Sequence, residues 1–598
     1  MKLKGTEVLV CAYLNPDTDE TIEDKIITGC PLTDTGNAER LIAYHGDNIR
    51  YCAERKSWYL WNGVRWVPDV KGAIFEMAKE TAIKIHDEIK YLDINDKAAR
   101  KELSKFAYRS ESQKSLREMI QNAQTDARLA IEANKFDAKL ELINCPNGTL
   151  DLEKEEFREH QREDLLTKLT AVPFDPWAPC ALYFPTLIRA LPLNEAVYAQ
   201  LLLGSFLEAT AQNKEWLFIY GKPFAMKSSV TQPVYAALGD YAKPFPISLF
   251  IKGKQRIDPN AARPELIALE GVRIAWSEEA PPNFIIDEPT LKNMTSSGIQ
   301  SIRQVYERQR EVHLVCSFVV ESNGTFTFDI DDEWSREAAL ERTRVMKFVN
   351  QLRAEGRDRE VLKTLTHDKH ELTAALAWVV QGYFESKKHG ITTPGTVKAA
   401  NSEFEAVINP LSSFVRNELN FGDGYVSVTQ ILERFHEVAS REKIKQFPNE
   451  RSLNLQLRKI LPYYAKKEGV TVEPKKLEGG ASWLGVTLKD LDDELIENKE
   501  QEDDEKANEE RLTLMTQNPI FVESIYDLDC YMRILCKNGI LRHKPSYPKG
   551  AERLTALKTE SDALEAYEIP DAKKDDLEHD LDEFVDVIEN IGEEARNE

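Results

Sequence analysis

The order of apolar and polar positions changes character several times along the chain. Residues 1–36 are polar, with turn signals at Asn15-Pro16-Asp17 and Asp34-Thr35-Gly36, and predict a short lead-in. A helical pattern opens at Asn37-Ala38-Glu39-Arg40-Leu41. From Trp58 to Trp66, large residues alternate on both sides of Asn62-Gly63, a dipeptide that favours a hairpin turn. Residues 72–136 carry Ala, Glu, Lys and Leu at helical spacing, and Cys145–Leu152 predicts a second strand-turn-strand. Glu195–Asn213 reads as an apolar helix, and Glu215–Tyr220 as a buried strand running directly into Gly221. Further strands are expected at Val272–Trp276, Val312–Val320 and Thr343–Val349, separated by helical stretches, an alternation that predicts an α/β nucleotide-binding core. After Pro394 the pattern is helical again. Residues 409–488 then show a helix, a short strand at Tyr425–Val428, two helices and a closing strand at Trp483–Leu488, an order compatible with a winged helix. The expected divisions are a lead-in (1–36), a helical and hairpin N-terminal domain (37–194), the α/β core (195–360), a helical connector (361–408), the winged-helix region (409–488), a charged linker (489–510), a small unassigned unit (511–570) and an acidic tail (571–598).

Composition narrows the class. A chain of 598 residues exceeds what one hydrophobic core organises, and 42% hydrophobic with 30% charged residues describes a soluble globular protein. The longest apolar runs fall short of the roughly 20 residues a membrane span needs, and no secretory leader is evident. Eight cysteines without a CxxC or a Cys/His cluster argue against a disulfide framework or structural zinc, so a cytoplasmic protein is expected, in a bacterial host. The net charge of −23 speaks against nucleic acid until its distribution is considered. Residues 489–598 hold 32 acidic and 14 basic side chains, which leaves the first 488 residues near −5. Such a body can still present a local basic channel to DNA phosphates.

The central chemical signal is Gly221-Lys222-Pro223-Phe224-Ala225-Met226-Lys227-Ser228-Ser229, set between a buried strand and a helix. In that context a phosphate-binding loop is expected: Lys227 for the β- and γ-phosphates of ATP, the Ser228 hydroxyl for Mg²⁺, and backbone N–H groups for the remaining oxygens. Met226 stands where GxxxxGK[ST] has its second glycine, and Pro233 falls inside the following helix. About fifty residues on, the Val272–Trp276 strand leads into Glu278-Glu279, which either hold Mg²⁺ and polarise water or merely end an exposed strand. Asn323 ends the next strand and suits either a water-orienting amide or a turn at Asn323-Gly324. Arg342 and Arg344 precede the last strand, placed to act on a neighbouring subunit's ATP or to form surface ion pairs.

In this order the motifs resemble the helicase half of phage and plasmid primase–helicases, within the superfamily 3 helicases, over residues 37–488. The phrases that carry the resemblance include Asn144–Leu152, Asp164–Thr170 leading to Phe174-Asp175-Pro176, Leu202-Leu203-Gly204, Leu238–Ala242, Arg263–Leu266 and Lys292–Tyr306. The first part resembles the poxvirus-type domain that precedes such helicases, and 409–488 their C-terminal winged helix. The resemblance implies an AAA+ P-loop ATPase core that assembles as a ring, most often a hexamer, and unwinds DNA at a mobile element's origin. It places Lys227 and Ser228 on the phosphate loop, Glu278 on the acidic strand tip, Asn323 on the sensor and Arg342 at the subunit interface. Lys292 and Arg303 match the frame of a pore-hairpin motif, and Arg303–Arg310, with Arg308 near its tip, is expected either to contact single-stranded DNA or to form an exposed charged turn. Arg451, Arg458, Lys459, Lys466 and Lys467 could face a duplex backbone or simply solvate two helices.

The sequence departs from the family at three places: Met226, the pore motif, which reads Lys292-Asn293-Met294-Thr295-Ser296-Ser297-Gly298, and a stretched Trp334-Ser335-Arg336 element. A catalytically attenuated DNA-binding or replication scaffold is therefore the alternative reading. No primase unit is visible, so priming is expected on a separate primase or polymerase chain. The acidic tail either solubilises the protein or mimics DNA in the basic channel.

Overall fold

A computed structural model describes residues 7–14, 21–178, 182–209, 215–252, 264–296, 299–302, 310–330, 332–351, 359–441, 449–477 and 480–489. Residues 490–510 of the charged linker, the 511–570 unit and the acidic tail lie outside the described residues. The chain divides into two compact units. One comprises residues up to Asn144 together with Arg158–Leu169, and the other Cys145–Phe157 together with Thr170 onward.

In the first unit the expected lead-in instead folds as an antiparallel hairpin, Glu7–Leu14 against Thr21–Thr28. The β-prone run Val8–Leu14 outweighs the turn residues that follow it. The next helix starts at Asp34, where the Thr33 hydroxyl accepts the Gly36 N–H, three residues earlier than the apolar periodicity suggests. The expected hairpin forms between Ser57–Trp61 and Trp66–Pro68 with Trp61 paired to Trp66. Its turn is a four-residue loop held by Asn62 Oδ1, which accepts from the N–H groups of Val64 and Arg65. Helices Ala73–Glu88, Lys97–Ser110 and Gln113–Gln124 occupy the predicted helical stretch. A buried Arg40–Glu88 pair ties the first two helices of the unit together, with Arg40 Nη2 donating to Glu88 at 2.8 Å.

The second unit is mixed α/β around a five-stranded parallel sheet. Its strands are β1 (Trp216–Gly221), β2 (Ala242–Pro244), β3 (Ile274–Ala280), β4 (Ser317–Ser322) and β5 (Thr343–Phe348), in the spatial order β2-β3-β4-β1-β5. Parallel strands covered on both faces are apolar throughout, which is why Trp216-Leu217-Phe218-Ile219 shows no alternation. Trp216, Phe218, Phe250, Phe318 and Phe326 form the centre of the core on one face. The expected single strand 312–320 is two elements. Arg310–His313 pairs with Ile299–Ile302 as a hairpin, and β4 begins only at Ser317.

Helix α1 (Lys227–Leu238) follows β1, and the long helix Lys369–His389 packs against both α1 and Leu193–Ser205. Near its start, Glu371 accepts the N–H groups of Leu182 and Tyr183, at 3.0 and 2.8 Å, and so caps Tyr183–Ala190. Residues 410–488 fold as three helices (Pro410–Glu418, Val428–Arg441, Glu450–Lys467) with an antiparallel sheet of Leu419–Ser427, Gly480–Leu488 and Glu473–Leu477 around their own core. The strand Glu473–Leu477 escapes sequence reading because every residue in it but Leu477 is exposed. Among the described residues, the cysteines Cys30, Cys52, Cys145 and Cys316 form no disulfide, and no helix is long and apolar enough to cross a membrane.

Candidate functional site

All five strands of the parallel sheet end on one edge, the edge where α/β sheets bind ligands. At that edge β1 delivers Gly221, paired with Phe348 of β5. A Cβ at 221 would lie 2.4 Å from the Phe348 carbonyl oxygen, so the close strand approach requires glycine. The chain then turns through Lys222–Met226 into α1, with the Ala225 N–H donating to Lys222 O at 3.3 Å. Phe224 and Met226 have φ of 65° and 61°. Met226, the N-cap of α1, thus adopts the left-handed conformation that glycine supplies in the motif, at a cost of about 1–2 kcal/mol. Its side chain is buried. Pro233 lies inside α1, beyond the first turn, whose N–H groups have no partners within the helix itself.

Lys227 is the first residue of α1 and is 8% exposed. Its ammonium donates to Gly221 O at 2.9 Å, Lys222 O at 3.2 Å and Asn323 Oδ1 at 3.0 Å. Burial pushes the Lys227 pKa below the ordinary lysine value, and the charge of Glu321 pulls it back up. Asn323, just past the end of β4, therefore meets the loop lysine across 96 residues of sequence.

The same strand contributes a residue that sequence reasoning missed. Glu321 is 4% exposed and accepts from Thr231 Oγ1 at 2.5 Å and from Ser228 Oγ at 3.3 Å. The available signal was a carboxylate closing the apolar run Phe318-Val319-Val320, two residues before Asn323. Such a residue is buried only where something satisfies its charge.

Glu278 and Glu279 belong to β3, in the irregular stretch between the pairs Ser277–Val320 and Ala280–Ser322, and so run beside the end of β4. Their side chains lie outside the described residues. Among the described residues no cluster of three or more His, Cys, Asp or Glu could hold a metal ion.

Arg342 sits at the opposite edge. It follows the helix α2 (Glu333–Glu341), its carbonyl accepts the Trp216 N–H at 2.9 Å, and on its half-buried side chain the buried Nη1 has no hydrogen-bond partner among the described residues. The length of β1 separates this edge from the loop, a rise of about 20 Å. Arg344 Nε donates to Glu215 at 3.1 Å within the same unit.

Of the expected DNA contacts, Lys292 is exposed on Glu288–Ser296, and Arg310 is a hairpin residue opposite Ile302. Arg303 and Arg308 lie outside the described residues. Among the basic residues considered for duplex contact, Lys467 pairs with Glu337 at 2.5 Å, and Lys466 lies 5.6 Å from the Trp334 ring centre.

Residues 38–190 match the family described as D5 N terminal like, a domain of primase–helicases. Two curated relatives are both described as "Putative primase C962R" of African swine fever virus. That of isolate Warthog/Namibia/Wart80/1980 is 25% identical over 213 residues, 34% of this chain and 22% of that protein. That of isolate Tick/Malawi/Lil 20-1/1983 is 23% identical over 212 residues, again 34% of this chain and 22% of the relative. The chain thus spans about a fifth of the length of these relatives. Among solved structures, the A form apo structure of the NrS-1 C terminal region aligns with 73% of this chain and 96% of that one, at 12% identity and a TM-score of 0.39.

Proposed function

We propose that this protein is an ATP-dependent, ring-forming DNA helicase of the superfamily 3 type, acting in the replication of a phage, prophage or plasmid. The observation that carries the reading is the meeting of Lys227, Ser228 and Asn323 at the carboxyl edge of a parallel sheet, where α1 begins. Lys227 exchanges its bonds to the Gly221 and Lys222 carbonyls for the β- and γ-phosphate oxygens, and the first N–H groups of α1 hold the remaining ones. Asn323 and Glu278 orient the attacking water. The donor set suits Mg²⁺, which takes hard oxygens from one or two protein groups alongside phosphates and so needs no all-protein cage. Ser228 would hold that ion, with Glu278 through water, and its charge would offset the phosphate charge being released.

Arg342 is too far from the loop of its own subunit to act there, which supports a site completed by a neighbour. The Ile299–Ile302/Arg310–His313 hairpin carries the basic segment 303–310 proposed to grip single-stranded DNA. The N-terminal match to a primase–helicase domain supports the replication context.

A mixing experiment tests the shared site. Lys227→Ala and Arg342→Ala are each expected to lack ATP turnover. Combined subunits regain a fraction of it, because some interfaces pair an intact Lys227 with an intact Arg342. Mixed subunits as inactive as either variant, with assembly demonstrated by size, would contradict a site shared between subunits.

A further inference from the structure

The buried carboxylate behind the phosphate loop is left unused by this scheme. We infer that Glu321 is a positioning residue that sets the Ser228 hydroxyl for a divalent cation, an inference that rests on the phosphate-loop reading above. A serine hydroxyl has one proton and two lone pairs. With its proton donated to Glu321 at 3.3 Å, Ser228 keeps its lone pairs free to face a cation. The negative charge behind it raises the basicity of that oxygen, as carboxylates behind metal ligands commonly do.

Three features of the surroundings fit this role better than a simple tie between strand and helix. Glu321 is almost fully buried, so its charge is poorly screened. Its second oxygen is occupied by Thr231 one turn further along α1, which fixes the carboxylate rather than leaving it to rotate. Its backbone lies on β4 between β1, which delivers the loop, and β3, which carries Glu278 and Glu279. A plain structural tie would be served by a neutral glutamine at less desolvation cost.

The test titrates Mg²⁺ into full-length protein holding a fluorescent ATP analogue and compares the unmodified chain with Glu321→Gln. Glutamine keeps the volume and one accepting oxygen but removes the charge. The Mg²⁺ concentration at half-effect is expected to rise about 10- to 100-fold, while affinity for the analogue in excess EDTA stays unchanged. A second variant, Glu321→Asp, keeps the charge but withdraws it by one methylene, and a smaller rise is expected from it. An unshifted Mg²⁺ curve in folded Glu321→Gln, or a rise in Glu321→Asp as large as in Glu321→Gln, would overturn the inference and leave the phosphate loop standing. So would an equal loss of affinity with and without Mg²⁺, the mark of a purely structural tie. Failure of the unmodified chain to bind the analogue in either condition would overturn the phosphate-loop reading and this inference with it.

Discussion

Lys227→Ala is expected to lower affinity for ATP about 100- to 1,000-fold while leaving the fold intact. The ammonium is a positive charge seated between the β1–α1 turn and Asn323, and two charge-assisted hydrogen bonds to phosphate account for a loss of that size. The fold should tolerate the change. Burial already disfavours the charged form, and the Asn323 amide the lysine releases is solvent-exposed and can turn to water. The same burial gives a pH signature. Phosphate binds the protonated lysine, so affinity is complete well below the Lys227 pKa and is lost as pH rises through it. Because that pKa lies below the ordinary lysine value, the loss sets in at lower pH than for an exposed lysine. Titration of a fluorescent ATP analogue from neutral to alkaline pH, beside thermal melts of both proteins, checks the magnitude, the sign and the intact fold.

Gly382→Ala is expected to destabilise the second unit by about 3 kcal/mol, a drop in melting temperature on the order of 6–12 °C. The helices Leu193–Ser205 and Lys369–His389 touch backbone to backbone. A Cβ at 382 would lie 2.1 Å from the Gln200 carbonyl oxygen, and one at Gly204 would lie 2.2 Å from the Tyr383 nitrogen. Neither obstacle is a flexible side-chain end, so the helices must separate. Separation would strain the bond from Gln200 Nε2 to Trp378 O, now 3.0 Å. Alanine's better helix propensity returns only about 1 kcal/mol. Gly422→Ala serves as the comparison, since nothing lies within 4 Å of its added Cβ. Circular dichroism melts should show a large drop for the first and almost none for the second. An unchanged melt for Gly382→Ala would refute the close packing.

The legible parts of this chain were those where one physical signal dominates. Trp216–Gly221 folds as a strand because an unbroken apolar run entering a glycine turn has few alternatives, and the helices between residues 73 and 124 follow their spacing closely. What was hidden depends on contacts distant in sequence. Glu321 resembles any strand-end carboxylate until Ser228 and Thr231 arrive from 93 and 90 residues away. Met226 marks a break in a motif, yet only the backbone reveals that it assumes the glycine conformation. The strand boundary at Ser317 was obscured because Val312–Val320 is apolar enough to pass for one element, whereas its first residues pair with the Ile299–Ile302 strand instead of the core sheet. The N-terminal hairpin was lost to turn residues that follow a short β-prone run.

The measurement closest to the central claim is ATP hydrolysis by the purified full-length chain, with and without single-stranded DNA, beside Lys227→Ala. The expected result is turnover that single-stranded DNA stimulates and that the substitution abolishes. Turnover no higher than that of Lys227→Ala, with or without DNA, would contradict it and favour a DNA-binding scaffold built on the same fold.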